Sequence, residues 1–288
     1  KGDSIILSYT AYLNESAVPK ISKRGFENKV RVNFSNDPQN ESKGQSPWDC
    51  VVCYTYQLNG LKSNEKNVKL KGATFKMYRD AAMRDQVKMK KTDSGYVVTD
   101  GQSEDIVSNE NGEFEIYGLD QGTYYLKETK APDSFYNGSE EKSVTLTYAG
   151  QNKEVVFADV TFNNERQKAD VSVVKQDKDT KKPLKGGIFA LYASDDIRNA
   201  DGTVIVKKGT LIEKATTGED GTAKFTADLP IGYSYSVKED QAPEGYVRNT
   251  EDVYTFKFSY TNDKEATVSF AHTFSNDRVT AKINLFKV

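Results

Sequence analysis

Hydrophobic and polar residues alternate along most of the chain in short runs. Val, Thr, Tyr and Phe alternate with Lys, Asp and Ser, and Gly, Asn or Asp residues separate the runs. This alternation is typical of β-strands with one buried face, and regular turns between short strands are typical of β-sandwiches. No long stretch has the 3.6-residue period of an amphipathic helix. The pattern therefore predicts an all-β protein built of sandwich modules.

Two segments repeat the same pattern. The first contains "LKGATFKMY", "GTYYLKETKAPDSFY" and "VTFNNERQKA", and the second contains "LKGGIFALY", "GYSYSVKEDQAPEGY" and "HTFSNDRVTA". Each also has a β-hairpin signal at the same place, Asn111–Gly112 in the first and Asp220–Gly221 in the second. We therefore predict one module over 58–168 and a second over 169–280.

The ends of the chain belong to neither repeat. Residues 1–57 contain the strand-like runs "SIILSYTAYL", "KVRVNFSND" and "VVCYTYQL", and we interpret them as the back portion of a preceding domain. At the other end, "AKINLFKV" has Ile283, Leu285 and Lys287 in the phase of Val171, Val173 and Lys175. This match predicts that 281–288 is the first strand of a further module, or else a truncated end. We expect the chain to be a mature region or an excised fragment, because neither a signal peptide nor a sorting tail is present.

Three polar residues keep their spacing in the two modules. The first set, here the first triad, is Lys62, Glu128 and Asn164, and the second triad is Lys175, Glu239 and Asn276. Lysine and glutamate are 66 positions apart in the first triad and 64 in the second, and glutamate and asparagine are 36 and 37 apart. The loops between these points differ in sequence, so the shared spacing indicates a shared site.

The alternation places these polar residues on apolar strand faces. Glu239 follows Tyr235 and Val237 at a period of two, so all three share one face. The pattern is weaker at Lys62, because Gly60 precedes it in phase. The pairing of "TFNNER" with "TFSNDR" selects Asn164 rather than Asn163. Each module is therefore predicted to bury a lysine, a glutamate and an asparagine together.

Burial changes the protonation states, and therefore the reactivity, of these residues. Desolvation lowers the pKa of a lysine and raises that of a glutamate, so the amine becomes a nucleophile and the carboxyl an acid. The carboxyl can donate to the asparagine carbonyl, the amine can attack its carbon, and ammonia can leave. The expected product is a Lys–Asn isopeptide bond, with the glutamate as proton shuttle. Two other interpretations stay open: a buried ion pair without chemistry, or three surface residues.

At these residues the chain resembles the Cna protein B-type (CnaB) domains of Gram-positive surface proteins. "YYLKETKAP" and "YSYSVKEDQAP" are similar to the family's glutamate-bearing box, and "NNER" and "SNDR" to the end that carries its linking asparagine. The resemblance covers about 58–280. It implies tandem Ig-like β-sandwiches in an elongated rod, Lys62–Asn164 and Lys175–Asn276 cross-links, and Glu128 and Glu239 as catalytic acids.

The leading part resembles the end of the isopeptide-forming second domain of sortase-assembled backbone pilins. The resemblance makes Asn28 the candidate linking asparagine of that domain, with Asn36 as the competitor. The lysine and glutamate partners would lie upstream. A convincing pilin-type lysine motif is lacking, because "VPK" at 18–20 has the wrong context.

Composition narrows the functional classes. The net charge of −2, with both signs interspersed, argues against nucleic-acid binding, and no apolar run is long enough for a membrane helix. The single histidine, His272, argues against most zinc sites and against Ser-His or Cys-His catalysts. "CVVC" has the spacing of a redox motif, but Cys50 and Cys53 would point to opposite faces of a strand, which favours free thiols over a redox or metal role. We expect neither a metal nor a cofactor.

The resemblance implies a shaft subunit of a covalent pilus outside a Gram-positive cell. Its partners would be other pilin subunits, joined by sortase, and a host surface or matrix. The alternative is the stalk of a collagen-binding type adhesin that carries a separate binding head. A carbohydrate-active enzyme is a third option, but no carboxylate pair stands out beyond the repeat. Bond formation within one chain is single-turnover, so we do not expect an enzyme.

Overall fold

The computed structural model describes residues 6, 8–9, 25–36, 39, 43–150, 154 and 157–286. Every regular element in these residues is a β-strand, which confirms the predicted all-β class. None of the described elements is a helix long and apolar enough to cross a membrane. The chain divides into two compact units, one of 1–132 and 137–164 and one of 133–136 and 165–288.

The leading part forms two small antiparallel ladders. Its strands are β1 (Phe26–Val30), β2 (Asn33–Ser35), β3 (Lys43–Gln45) and β4 (Asp49–Cys53). Strand β1 pairs with β4, and β2 pairs with β3. The run "KVRVNFSND" is thus two strands rather than the single one predicted. Most of "SIILSYTAYL" lies outside the described residues, as does the "VPK" segment.

The first sandwich follows at once. Its strands are β5 (Tyr56–Asn64), β6 (Thr74–Tyr78), β7 (Met89–Thr92), β8 (Gly95–Val98), β9 (Ile106–Val107), β10 (Glu113–Leu119), β11 (Gly122–Lys130), β12 (Glu141–Leu146) and β13 (Ala158–Asn164). One sheet has the order β13-β5-β10-β8-β7 and the other β12-β11-β6-β9. The predicted strand "VVCYTYQL" is wrong as one element: its front half ends β4, and its back half begins β5, where Tyr56 is already buried.

The core of the first sandwich lies between its two sheets. Phe75 of β6 packs against Phe114 of β10 and Phe162 of β13, with ring centroids 4.8 Å apart in both pairs. Gly60 lies opposite Phe114, and an added Cβ would come within 2.0 Å of that ring. The glycine that weakens the alternation before Lys62 therefore sits on the buried face and leaves space for an aromatic ring.

The second sandwich repeats this plan. Its strands are β14 (Lys168–Asp177), β15 (Ile188–Ala193), β16 (Ile197–Arg198), β17 (Val204–Val206), β18 (Leu211–Thr216), β19 (Thr222–Phe225), β20 (Ser234–Gln241), β21 (Val253–Lys257) and β22 (Thr267–Asn276). One sheet has the order β19-β14-β22, the other β18-β15-β20-β21, and β16 pairs with β17. Phe189 and Phe274 pack across its core with centroids 4.7 Å apart.

In each sandwich the first strand lies beside the last and parallel to it. In the first sandwich β5 pairs with β13, and Lys62 lies opposite Phe162. In the second, β14 pairs with β22, and Lys175 lies opposite Phe274. Since Asn164 and Asn276 follow these phenylalanines by two residues, both sandwiches have the same lysine-to-asparagine register.

One expectation about local structure is wrong. Tight turns do end at Gly112 and Gly221, where φ is +71° and +73°. However, β9 and β10 belong to different sheets, and so do β18 and β19, so each turn crosses the sandwich instead of closing a hairpin. Residues 281–286 are exposed and lie outside any strand, and Lys287 is not among the described residues. The assignment of 281–288 to a further module or a truncated end therefore stays a prediction.

The packing at Gly60 gives a stability prediction. Gly60→Ala should lower the free energy of unfolding of the first sandwich by roughly 1–3 kcal/mol, because the added methyl group overpacks the core against Phe114. Differential scanning calorimetry would detect the shift. Gly101→Ala is the control, because its added Cβ meets only Thr99 Oγ1, at 3.5 Å. Equal melting of the two variants would contradict the packing argument.

Candidate functional site

The structure brings the three residues of each triad together in the core. Lys62 and Lys175 are 0% exposed, and the two glutamates and two asparagines are at most 4% exposed. Each lysine comes from the first strand, each glutamate from a middle strand of the opposite sheet and each asparagine from the end of the last strand. The site is therefore assembled from three segments that are far apart in sequence.

In the first triad, each of the three side chains contacts the other two. Lys62 Nζ lies 2.5 Å from Asn164 Oδ1 and 3.2 Å from Glu128 Oε2. Asn164 Nδ2 donates to Glu128 Oε1 at 2.9 Å. The amine thus approaches the carbonyl, while the carboxylate contacts both nitrogens.

The second triad has the same contacts and one more. Lys175 Nζ donates to Asn276 Oδ1 and lies 3.0 Å from Glu239 Oε1. Asn276 Nδ2 donates to Glu239 Oε1 at 2.8 Å. In addition, the backbone N–H of Asn249 donates to Glu239 Oε2 at 2.8 Å. The second carboxylate therefore has a main-chain donor in addition to its two triad partners.

These contacts differ from the expected proton route in one respect. The sequence-based expectation has the carboxyl donating to the asparagine carbonyl, but it lies against the amide nitrogen in both triads. That nitrogen is the atom that would leave as ammonia. The arrangement therefore suits a carboxyl that carries a proton from the amine to the leaving group.

Burial favours the neutral forms of the groups in the first triad. Desolvation lowers the pKa of Lys62 and raises the pKa of Glu128, although their mutual attraction acts in the opposite direction for both. Desolvation also lowers the pKa of Lys175. Moving a proton from lysine to glutamate therefore costs less in the first triad than it would in water.

The register explains why a lysine can reach its asparagine. The asparagine is two residues beyond the position opposite the lysine, about 6.6 Å along the strands. The long four-carbon stem of lysine can span this offset. Phe162 lies beside the amine of the first triad and Phe189 beside that of the second, so aromatic rings line the dry site.

The two turn glycines hold the lysines from the backbone side. The N–H of Lys62 donates to the carbonyl of Gly112, and the N–H of Lys175 donates to the carbonyl of Gly221, both at 2.7 Å. A Cβ at either glycine would lie within 2.5 Å of the lysine carbonyl oxygen. Sequence reasoning found these turns but missed that they position the lysines.

A buried group next to the second triad was also missed. Asp177 is 1% exposed, and its Oδ2 accepts from Arg278 Nε at 2.6 Å and from the Tyr246 hydroxyl at 2.9 Å. Hydrogen bonds from the backbone N–H of Thr180 and from Arg278 hold the pKa of Asp177 well below its ordinary value. The alternation that places Lys175 inward extends to Asp177, so the signal was present in the sequence.

The remaining candidate residues lie outside these sites. Asn28 is exposed on β1, where its side chain donates to the Tyr9 hydroxyl, and Asn36 is exposed just after β2. A linking role for Asn28, or for Asn36 in its place, stays a prediction. Cys50 and Cys53 are exposed free cysteines, as predicted.

Comparison with known proteins places the fold. The family model SpaA, described as a prealbumin-like fold domain, matches residues 57–161 and 169–272. A collagen adhesin of Staphylococcus aureus is 33% identical over 178 residues, which cover 56% of this chain and 14% of that protein. A trypsin-resistant surface T6 protein of Streptococcus pyogenes is 25% identical over 247 residues, covering 78% of this chain and 41% of that protein.

A solved structure agrees in fold. The TIE protein of Bacillus anthracis superposes with a TM-score of 0.52 at 22% identity, over 88% of this chain and 42% of that one. The chain spans less than half the length of each of these three proteins.

Asp177 gives a pH prediction. Its pKa in the folded state is below the ordinary value of about 3.9, so the stability it contributes is present above that pH and is lost as the pH falls below it. Asp177→Asn should lower the stability of the second sandwich at neutral pH and flatten its decline below about pH 4. Thermal melting between neutral and acidic pH would measure both effects. The first sandwich, which has Asn64 at the corresponding position, is the internal control, and an unchanged acid decline of the second would contradict the assignment.

Proposed function

Because the chain belongs to the SpaA family of prealbumin-like fold domains, we propose that it is a structural region of a Gram-positive surface protein, stapled by two intramolecular isopeptide bonds. The observation that carries this proposal is the pair of buried Lys–Glu–Asn triads with the same register. Lys62 would join Asn164, and Lys175 would join Asn276. The protein would work outside the cell, in the cell wall or a pilus.

The reaction balances within each triad. Lysine first transfers a proton to glutamate, which leaves a neutral amine and a carboxylic acid. The Nζ atom attacks the asparagine Cγ, the glutamate gives its proton to Nδ2, and the C–N bond to Nδ2 breaks to release ammonia. The glutamate then takes a proton from Nζ. One Nζ–Cγ amide bond forms for each ammonia lost, and a dry site favours the neutral reactants.

The strand arrangement supports a mechanical role. Force that enters at the start of β5 and leaves at the end of β13 would shear a parallel pair. A bond from Lys62 to Asn164 would carry this force directly from the first strand to the last. The residues between them would then lie outside the path of the force, and the same holds for Lys175 and Asn276 in the second sandwich.

A pilus shaft is the form of this role that we favour, with sortase joining the subunits and a host surface or matrix as a further partner. The alternative is an adhesin stalk, which the matching collagen adhesin of Staphylococcus aureus supports. Both forms need the same stapled sandwiches and differ in what lies beyond them. Neither makes the chain an enzyme, because each bond would form once.

The intact mass tests the chemistry. The folded chain should be lighter than its sequence mass by two ammonia molecules, one for each triad. Glu128→Gln and Glu239→Gln should each restore one ammonia, because an amide cannot act as the proton shuttle. Mass spectrometry of the intact protein and of its tryptic peptides would show which pair is joined. Exposed Glu219→Gln is the control, and the full sequence mass in folded wild-type protein would refute the mechanism.

Each of the two isopeptide bonds should stabilise its own sandwich independently of the other. Lys175→Ala removes the nucleophile and opens a loop of about 100 residues, which costs roughly 4–5 kcal/mol in the cross-link entropy model. The unpaired Glu239 and Asn276 should cost about 1–3 kcal/mol more. Together these losses are comparable with the whole stability of a typical domain.

The second sandwich of this variant should therefore melt at a much lower temperature and become protease-sensitive. Limited trypsin digestion with mass analysis should leave a resistant fragment of about 58–168, held by the first staple. Arg198→Ala, an exposed change away from both triads, is the control. Loss of both sandwiches together, or of neither, would contradict independent staples.

A further inference from the structure

A second cluster of three residues lies beside the second triad. Asp177 follows Lys175 by two positions, Tyr246 follows Glu239 by seven, and Arg278 follows Asn276 by two. Each member therefore comes from a segment that also supplies one member of the triad. We call Asp177, Tyr246 and Arg278 the clasp.

The clasp is joined through one buried carboxylate. Asp177 Oδ2 accepts from both Tyr246 and Arg278, and Asp177 Oδ1 accepts the backbone N–H of Thr180 at 2.7 Å. The Asp177 side chain is 1% exposed, whereas that of Arg278 is 56% exposed. The arginine and tyrosine thus cover an ionised group at the end of β14.

Main-chain hydrogen bonds join the same segments. The N–H of Val247 donates to the carbonyl of Asp277, and the N–H of Val279 donates to the carbonyl of Gly245, both at 2.9 Å. On the other side, the N–H of Lys178 donates to the carbonyl of Asn276 at 3.0 Å. The residues that flank Asn276 are therefore held by the chain after Glu239 and by the chain after Lys175.

The corresponding positions of the first repeat hold different residues. They are Asn64, Phe135 and Arg166, so neither the carboxylate nor the phenol hydroxyl is present. Asn64 Oδ1 accepts the N–H groups of Lys66 and Val68, and Arg166 pairs with Asp228. The charged clasp is therefore a feature of the second repeat alone.

We propose that the clasp is a positioning device for the second isopeptide bond, an inference that rests on the proposed function. It holds the end of β22 in register with β14, where Asp177 lies opposite Asn276. This register keeps the Asn276 side-chain carbonyl in hydrogen-bond contact with the Lys175 amine until the bond forms. The clasp residues do not touch the reacting atoms, so they are positioning residues and not catalytic ones.

The test measures how fast each bond forms in the full chain. Unlinked protein is recovered in denaturant and refolded by dilution, and samples are quenched over time for intact mass and tryptic mapping. Asp177→Asn with Tyr246→Phe gives the second repeat the residue types of the first. In this variant the Lys175–Asn276 bond should form about tenfold more slowly or worse, because small misplacements of reacting groups reduce rates strongly. The Lys62–Asn164 bond, in the same molecules, should form at the wild-type rate.

A second measurement separates positioning from loss of folding. The clasp changes are also placed in a Lys175→Ala chain, in which the second isopeptide bond cannot form. The thermal melting curve of this chain identifies a temperature at which the unlinked second sandwich is still folded, and linking is then measured at that temperature. Slower linking at this temperature supports positioning. If the double variant does not fold there, Tyr246→Phe alone keeps the Asp177–Arg278 ion pair and should slow linking by a smaller factor.

Three outcomes would overturn the inference. Equal rates for the variant and the wild type would show that the clasp does not position Asn276. If the Lys175–Asn276 bond forms more slowly only in proportion to the unfolded fraction of the second sandwich, the clasp stabilises the fold and does not position Asn276. Wild-type protein that folds without losing ammonia would refute the proposed function itself, and this result is distinct because the first bond would be absent as well.

Discussion

A lysine and a glutamate buried side by side are the constraint on which each sandwich depends. An isolated charge in an apolar core is expensive, so these groups need a partner or a reaction that removes their charge. The asparagine supplies the hydrogen-bond partner, and in the proposed reaction it is also the electrophile. To place it there, the last strand must lie parallel to the first with one specific register, and both sandwiches have that register.

The packing around each triad helps to hold the buried lysine in place. Phe75, Phe114 and Phe162 fill the space between the sheets of the first sandwich, and Gly60 leaves room for one of these rings. The carbonyl of Gly112 fixes the backbone of Lys62 at the point where the turn crosses from one sheet to the other. The second sandwich repeats the glycine contact but adds the Asn249 donor and the clasp. The two sites are therefore alike within the triads and differ around them.

The period-2 alternation was enough to predict the sandwich class and to place Glu239 on the same face as Tyr235 and Val237. Two repeats with one spacing were enough to select the triads, because chance does not preserve a spacing across unrelated loops. The alternation could not show that the Asn-Gly and Asp-Gly turns join different sheets, since a turn signal fixes local geometry and not strand pairing. Nor could it identify the clasp, because Tyr246 and Arg278 lie outside the strands and meet Asp177 only in the folded chain.

Stretching single molecules from their two ends tests the central claim most directly, because a staple changes the length that a sandwich can release. In the stapled chain, the 102 positions from Lys62 to Asn164 and the 101 from Lys175 to Asn276 cannot extend. Wild-type molecules should therefore show no unfolding step from either closed loop. A chain with Lys62→Ala and Lys175→Ala should show two steps, each of about 350 Å. Steps of that length in wild-type molecules would contradict the account.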